Sequence, residues 1–240
     1  YLFPKTEGTN LRILDVNIWE WNGTKTKLPQ AWVEAGEDCT NENRNKGFSG
    51  LFAAYLPEVI CMQEYAMQMH EHMYPDLKGM GYEMTALPDS VNFTPIYYNK
   101  KKVKLIETAY YPHELPYNNH NTKSYTTAVF SLKEGGKKFI VINTHLWWKS
   151  EKAMAGSNNA RVEQLKKIMA TIDLVKNDQN TRITEINIVG YASPEGNYNS
   201  NARLAQGRSE ALKKYVQDLY HFEKDIIQVS SIPEDWQGLR

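Results

Sequence analysis

Cysteine is scarce in this sequence, since only Cys39 and Cys61 occur among its 240 residues. Cys39 lies in a polar stretch and Cys61 in an apolar one, which gives neither a disulfide framework nor the spacing of a metal-binding cluster. We therefore expect Cys61 to be a small buried side chain. A chain of this length can instead bury a hydrophobic core of its own.

Long hydrophobic runs and net charge are also missing. No stretch of eighteen apolar residues occurs, so the sequence predicts no membrane span. Lys and Arg number 28 and so do Asp and Glu, which leaves a formal net charge of zero. The total charge therefore does not indicate binding to a polyanion, and any contact with nucleic acid would have to come from a local site. A hydrophobic content of 41% is typical of a globular protein.

The most informative stretch is 56–65, where a proline-led apolar run ends abruptly in Gln63-Glu64. The run is too short for a helix, and we interpret it as a buried strand at 59–62. Open α/β sheets place their chemistry at the carboxyl ends of strands, so Glu64 is a candidate for holding a metal or a substrate. The alternative is an ordinary strand end with a solvated glutamate.

Two further polar residues occupy comparable positions. Asn17 lies near the end of an alternating strand at 11–18, and His145 follows an apolar strand at 138–143. A histidine there suits work near neutral pH, because its unperturbed pKa is about 6.5. The alternative is a histidine that is hydrogen-bonded for structural reasons.

Periodicity and turn residues define the other elements. The sequence predicts helices at about 47–55, 67–78, 159–176 and 201–220, and strands at about 93–98, 103–110, 125–132, 184–190 and 226–231. Pro75 should interrupt the second helix, and Pro95 indicates an edge strand. Gly135-Gly136 indicates a hairpin, Ser157 is a candidate helix cap, and 23–45 has the composition of a long loop. In the last helix the apolar stripe is expected at Leu204, Ala211, Leu212, Tyr215, Val216 and Leu219.

The ordered trio Asn17, Glu64 and His145 resembles the endonuclease/exonuclease/phosphatase superfamily of metal-dependent phosphohydrolases. Further similarity lies in the segments 121–126, 147–148 and 160–165. The resemblance covers roughly residues 10 to 170. It implies an α/β (α+β) fold, a four-layer α/β/β/α sandwich in which two mostly antiparallel sheets pack face to face.

The same resemblance implies a chemistry. Glu64, helped by Asn17, would hold Mg²⁺ or Mn²⁺, since hard divalent cations take oxygen ligands together with waters and substrate phosphate. His145 would donate to a non-bridging oxygen of a phosphate ester, while water attacks in line. Tyr125 would orient the phosphate, or it is a structural tyrosine. The ester could belong to a small molecule or to a nucleic acid.

The sequence departs from the family in its second half. The family carries Gly-Asp-x-Asn on the strand after the amphipathic helix, but here that strand ends in Gly190-Tyr191-Ala192-Ser193. The family's Asp-His is absent as well. Each acid or base contribution of this kind is typically worth about 10²–10⁴-fold in rate, so the missing motifs predict impaired catalysis.

The tail, from about residue 172 to 240, resembles the OmpA-like cell-wall-binding module. The segments that carry the resemblance are 186–196 and 201–212. In that module a strand, a loop and a helix present an Asp and an Arg to the peptidoglycan stem peptide. Arg208 matches the Arg, Ser193 stands where the Asp is expected, and the module's first strand is missing.

Two incomplete family matches thus divide the chain into regions 1–170 and 171–240. The tail would be a separate module or the remainder of one domain, and the chain a natural variant, a fragment or an artificial join. The leading hypothesis is a phosphoesterase. The alternative is a non-catalytic peptidoglycan-binding protein, and the tail's resemblance implies a secreted or periplasmic location.

Overall fold

A computed structural model of the chain describes residues 11–18, 34, 36, 40–85, 92–118, 122–176, 183–191, 197–220, 222 and 224–232. Contacts divide the chain into two compact units, Tyr1–Ala170 and Thr171–Arg240. The first unit contains, in order, β1 (Ile13–Asn17), α1 (Asn41–Tyr55), β2 (Val59–Gln63), α2 (Met67–Gly79), β3 (Tyr82–Met84), β4 (Ile96–Asn99), β5 (Val103–Pro112), β6 (Ser124–Leu132), β7 (Lys138–His145) and most of α3 (Ser157–Lys176). The second contains β8 (Ile186–Tyr191), α4 (Tyr198–Tyr220), a 3₁₀ turn (Lys224–Ile226) and β9 (Ile227–Ile232).

The first unit is built on two sheets. One has the strand order β1-β2-β4-β3, and the other is an antiparallel meander of β5, β6 and β7. β1 and β2 run parallel, whereas β4 pairs antiparallel with both β2 and β3. The mixed α/β class predicted from the sequence is confirmed.

Strand β2 is buried on both faces. Ile60 and Met62 belong to a core cluster shared with α1 and α2, whereas Val59 and Cys61 belong to a second cluster shared with β5, β6 and β7. Side chains alternate along a strand, so a strand between two apolar layers has no polar positions. This explains the continuous apolar run in the sequence, and it confirms that Cys61 is buried.

Helix α1 begins earlier than predicted. The Thr40 hydroxyl accepts a hydrogen bond from the Asn43 backbone N–H at 3.3 Å, and the helix starts at Asn41. Asn45, which is buried, donates to Asp76 of α2 at 2.8 Å. The first turns are therefore held by a cap and by polar contacts, which hydrophobic periodicity does not detect.

The two prolines behave differently from prediction. Helix α2 continues through Pro75, because its buried face of Met69, Met73 and Leu77 packs on the sheet across the lost backbone hydrogen bond. Strand β4 is interior, between β2 and β3, and not an edge. Pro95 precedes β4, so its missing N–H removes no bond from the ladder.

The predicted hairpin is confirmed, but the predicted cap is not. Gly135 and Gly136 join β6 to β7 with φ angles of 77° and 67°. Ser157 is the first residue of α3, and its hydroxyl donates to the Met154 carbonyl at 2.5 Å. Instead, the Glu151 carboxylate accepts hydrogen bonds from the N–H groups of Gly156 and Asn158 at the start of α3. A negative charge at this end stabilises a helix, because the N-terminus carries the positive end of the helix dipole.

In the second unit β8 and β9 run parallel and α4 connects them. The apolar stripe predicted for α4 is wrong in part, because Leu204 and Leu219 are exposed. The buried residues of α4 are Asn201, Ala205, Ser209, Val216 and Tyr220. Small side chains at two of these positions bring the helix close to the strands. No helix in the described parts of the chain is long and apolar enough to cross a membrane.

A glycine just before α3 should tolerate a side chain poorly. Gly156 has a φ of 82°, and a Cβ there would overlap the Tyr117 hydroxyl, which donates to the Ala155 carbonyl at 3.0 Å. We expect Gly156→Ala to lower the free energy of unfolding by about 2–4 kcal/mol through backbone strain and overpacking. Chemical denaturation measures this.

The matched control is Gly135→Ala, where φ is 77° but no atom of the described residues lies within 4 Å of the added Cβ. This variant should show only the backbone cost, about 1 kcal/mol. Equal losses in the two variants would contradict the steric explanation.

Candidate active site

Asn17, Glu64 and His145 lie together at one rim of the first unit. Asn17 ends β1, and Glu64 follows the end of β2, where Asn17 pairs with Gln63. The Asn17 side-chain amide donates to Glu64 Oε1 at 3.0 Å. His145 ends β7 of the other sheet, and its Nε2 lies 3.6 Å from the same Oε1. Three separate strands thus supply an amide, a carboxylate and an imidazole to one place.

The backbone of Glu64 is unusual, since its φ is 55°, in the left-handed region that non-glycine residues rarely adopt. The neighbouring peptide groups are pinned on both sides. The Ile18 N–H donates to the Gln63 carbonyl at 3.1 Å, and the Tyr65 N–H donates to the Phe93 carbonyl at 3.2 Å. Such strain persists where the surroundings fix it and is common at functional sites.

Two side-chain amides, those of half-buried Gln63 and buried Asn143, connect the two sheets beneath this rim. Gln63 Nε2 donates to Asp15 Oδ1 and to Asn143 Oδ1, both at 2.6 Å. Asn143 Nδ2 in turn donates to the carbonyls of Met62 at 2.7 Å and Pro95 at 2.9 Å. β7, which carries His145, is therefore fixed against β2. Sequence analysis missed this role of Gln63 and Asn143, although both lie within two residues of a predicted site residue.

Asp15 belongs to this network. Burial raises the pKa of its carboxyl group, and the hydrogen bond from Gln63 opposes the rise. Its position two residues before Asn17 on β1 places it on the same face of the strand. With its Oδ1 bound to the Gln63 amide, Asp15 acts as a support of the site.

The side chains at the rim fit the coordination needs of Mg²⁺ or Mn²⁺ only if water and substrate supply further ligands. Within the described ranges there is no group of three His, Cys, Asp or Glu side chains suited to a metal ion. Mg²⁺ commonly needs only one or two carboxylates, because waters and substrate phosphate complete its coordination. Glu64, with a side chain 23% exposed, and the amide of Asn17 fit this smaller requirement.

Lys123 is a further member of the site, which sequence analysis did not single out. The residue is buried, with 6% of its surface exposed, and Nζ lies 3.2 Å from both ring nitrogens of His145. It lies just before β6, where no periodic pattern draws attention to it. The segment 121–126, part of the family resemblance, was its only signal in the sequence.

The pKa of His145 is lowered to about 4, first by burial and next by the positive charge of Lys123. The Glu64 carboxylate acts in the opposite direction. The imidazole is therefore neutral at pH 7 and carries one ring N–H.

Tyr125 is not brought to this rim. In β6 it follows Ser124, whose cross-strand partner is His145, so Tyr125 and His145 point to opposite faces of the sheet. Tyr125 stacks on Tyr111 with ring centroids 4.9 Å apart, and it lies 5.5 Å from the His113 ring. Of the two predictions for Tyr125, the geometry favours the structural one.

The segment after His145 is anchored by α3. The Trp147 N–H donates to Gln164 Oε1 at 2.8 Å, and its indole N–H donates to the Ser157 hydroxyl at 3.1 Å. Arg161 donates to the Lys149 carbonyl at 2.6 Å. Segments 147–148 and 160–165 therefore act together to hold the end of β7.

Of the two candidate ligand-binding residues in the tail, the structure describes only one. Arg208 is an exposed residue in the middle of α4, whereas Ser193 lies outside the described residues. A ligand site shared by Arg208 and Ser193 stays a prediction.

No protein-family model matches the chain, and no curated protein matches it. The peptidoglycan-binding module in the tail accordingly has no support beyond the sequence resemblance.

Solved structures do match. The chain is similar to an endonuclease/exonuclease/phosphatase family protein from Bacteroides thetaiotaomicron, with 16% identity and a TM-score of 0.55 over 71% of this chain and 60% of that one. It is also similar to truncated TDP2 from Caenorhabditis elegans, with 13% identity and a TM-score of 0.50 over 71% and 58%. A TDP2 structure from D. rerio, complexed with a single-strand DNA product, has 20% identity and a TM-score of 0.48 over 68% and 54%.

The chain therefore spans little more than half the length of each of these structures, from 54% to 60%. At such identities the likeness establishes the fold, which is the α/β sandwich of endonuclease/exonuclease/phosphatase proteins.

Removing the Asn143 side-chain amide, which joins the two sheets, should destabilise the protein. In Asn143→Leu the Gln63 amide loses one acceptor and two carbonyls lose a donor, all within a buried region. We expect a loss of about 2–4 kcal/mol in the free energy of unfolding, because buried unsatisfied groups each cost about 1–3 kcal/mol. Denaturant unfolding measures this, and a loss under about 0.5 kcal/mol, typical of a surface substitution, would refute the network's role.

His113 should give the stability a pH dependence. His113 is buried, and neither ring nitrogen has a hydrogen-bond partner among the residues that the structure describes. Burial, followed by Lys167 and His145, lowers its pKa to about 4. The unfolded chain binds the proton first, so stability should fall as pH drops from about 6.5 toward 4, by up to about 3 kcal/mol for this group.

His145 titrates in the same window, so a difference measurement is needed. Unfolding free energies at pH 7.5 and 4.5 should differ less in His113→Phe than in the wild type. An unchanged difference would show that His113 does not contribute.

Proposed function

We propose that this chain is a divalent-metal-dependent phosphoesterase that hydrolyses a phosphodiester or phosphomonoester. The supporting observation is the convergence of Asn17, Glu64 and His145, which places two hydrogen-bonding groups 3.0 Å and 3.6 Å from one carboxylate oxygen. The fold shared with endonuclease/exonuclease/phosphatase proteins agrees with this chemistry but does not by itself assign it.

Glu64 would bind the metal, and Asn17 would orient its carboxylate. A bound Mg²⁺ or Mn²⁺ would polarise the phosphoryl group and offset the negative charge that grows during in-line attack by water. The strained backbone of Glu64 and its pinned neighbours hold the carboxylate at the rim before substrate arrives. A site prepared in this way loses less free energy to ordering when the phosphate binds.

His145 would act as a neutral donor. Because its pKa is lowered to about 4, it carries one N–H at pH 7. A ring N–H of His145 hydrogen-bonds to the backbone of Thr122, and a non-bridging phosphate oxygen would replace that backbone as the acceptor. The Gln63–Asn143 network fixes β7 on one side of His145, and the contacts from α3 fix the chain that follows it.

Activation of the water is the weaker part of this site. The strand at Ile186–Tyr191 is not followed by Asp and Asn, so the group that would orient the attacking water is missing from the sequence there. A general base typically contributes about 10²–10⁴-fold. We therefore expect turnover to be slow compared with that of a site containing one.

Replacing the carboxylate tests the proposal. With bis-p-nitrophenyl phosphate and Mg²⁺ or Mn²⁺, Glu64→Gln should reduce kcat/KM by about 10²-fold or more, because the metal ligand is lost. Calorimetric titration of the chain with Mn²⁺ should show binding that this variant loses, which gives a measurement independent of turnover.

The matched control is Glu163→Gln, which removes an exposed carboxylate paired with Lys166. It should keep both activity and Mn²⁺ binding. Turnover that is the same in Glu64→Gln as in the wild type would eliminate the proposed site.

A further inference from the structure

Lys123 stands out because the proposed chemistry of Asn17, Glu64 and His145 leaves it unassigned. A lysine is rarely buried to 6% exposure, since taking an ammonium group out of water is costly unless other groups compensate. The backbone of Lys123 is fixed by hydrogen bonds on both sides. The Lys123 N–H donates to Asn118 Oδ1 at 3.0 Å, and the Lys123 carbonyl accepts from the His113 N–H at 2.8 Å.

The position of its ammonium group is specific. Nζ is 3.2 Å from Nδ1 and 3.2 Å from Nε2 of His145. A point equally close to both nitrogens lies over the face of an imidazole, because an in-plane point at that distance would overlap the carbon between them. The cation therefore does not occupy the lone-pair direction of either nitrogen.

An oxygen bound by His145 would consequently lie near Lys123. If it accepts a hydrogen bond of about 2.8 Å in the plane of the ring, its distance from Nζ is about 4–5 Å. At such a distance in a partly buried site, the interaction energy of two unit charges is several-fold larger than in water.

We propose that Lys123 is a further substrate-binding residue, whose positive charge would lie near a charged non-bridging oxygen of the substrate phosphate while His145 donates to that group. This inference rests on the proposed function and specifies the substrate: the phosphorus must carry an anionic oxygen. Lys123 would thus favour anionic phosphate esters over neutral ones.

The test combines a change of residue with a change of substrate charge. Lys123→Met keeps the aliphatic stem and removes the charge. The substrates are methyl p-nitrophenyl phosphate, which carries one negative charge, and methyl p-nitrophenyl methylphosphonate, in which a methyl group replaces the charged oxygen. Each is assayed with Mn²⁺ for wild type and variant.

We expect Lys123→Met to lower kcat/KM for the anionic ester by about 10²-fold, the usual cost of removing one such group, and to lower it at least tenfold less for the neutral ester. Lys123→Arg should recover part of the loss. Lys166→Met, which removes an exposed lysine paired with Glu163, is the control and should change neither value. Equal losses for both esters, or no loss, would overturn the inference, because a structural role affects both esters alike.

Binding of inorganic phosphate gives a second measurement that needs no turnover. In calorimetric titrations with Mn²⁺ present, Lys123→Met should weaken phosphate affinity at least tenfold, whereas Lys123→Arg should not. Unchanged affinity would overturn the inference. Lys123→Gln, which keeps a hydrogen-bonding end, replaces the Met variant if circular dichroism shows that the latter is unfolded.

The two proposals fail separately. Loss of Mn²⁺-dependent turnover in Glu64→Gln together with full activity in Lys123→Met would leave the phosphoesterase proposal standing and remove this one.

Discussion

The side-chain amide of Gln63 is the contact on which the rim depends. Its two N–H groups reach Asp15 on one neighbouring strand and Asn143 on the facing sheet. Since β1 and β2 carry Asn17 and Glu64, and β7 carries His145, this amide sets how the two parts of the site meet. Buried polar networks tolerate little change, because each partner that is lost leaves another group unsatisfied.

Burial also decides which groups in this region are charged. It lowers the pKa of His145 and His113 and raises that of Asp15. The imidazoles are thereby neutral at pH 7. At the rim, Glu64 and Lys123 both lie next to a neutral imidazole ring. Under the proposed function, this arrangement would suit a cation and a phosphate held side by side.

The second unit contains one strand–helix–strand element. Its two strands run parallel and are joined through α4, as β1 and β2 of the first unit are joined through α1. Among the described residues, β8 pairs only with β9. The acidic motif expected after β8 is absent from the sequence.

Most strands, although not β3, and the residues at their ends could be predicted from the sequence alone. Apolar runs must be buried, so the positions of Asn17, Glu64 and His145 followed from local pattern, and so did the α/β class. Which distant polar groups meet depends on how the strands pair and pack. Gln63 and Lys123 gained their roles from the pairing of strands and the packing of two sheets, and periodicity carries no record of either. Register likewise decided which face of β6 points toward the rim, since a shift of one residue reverses every side chain.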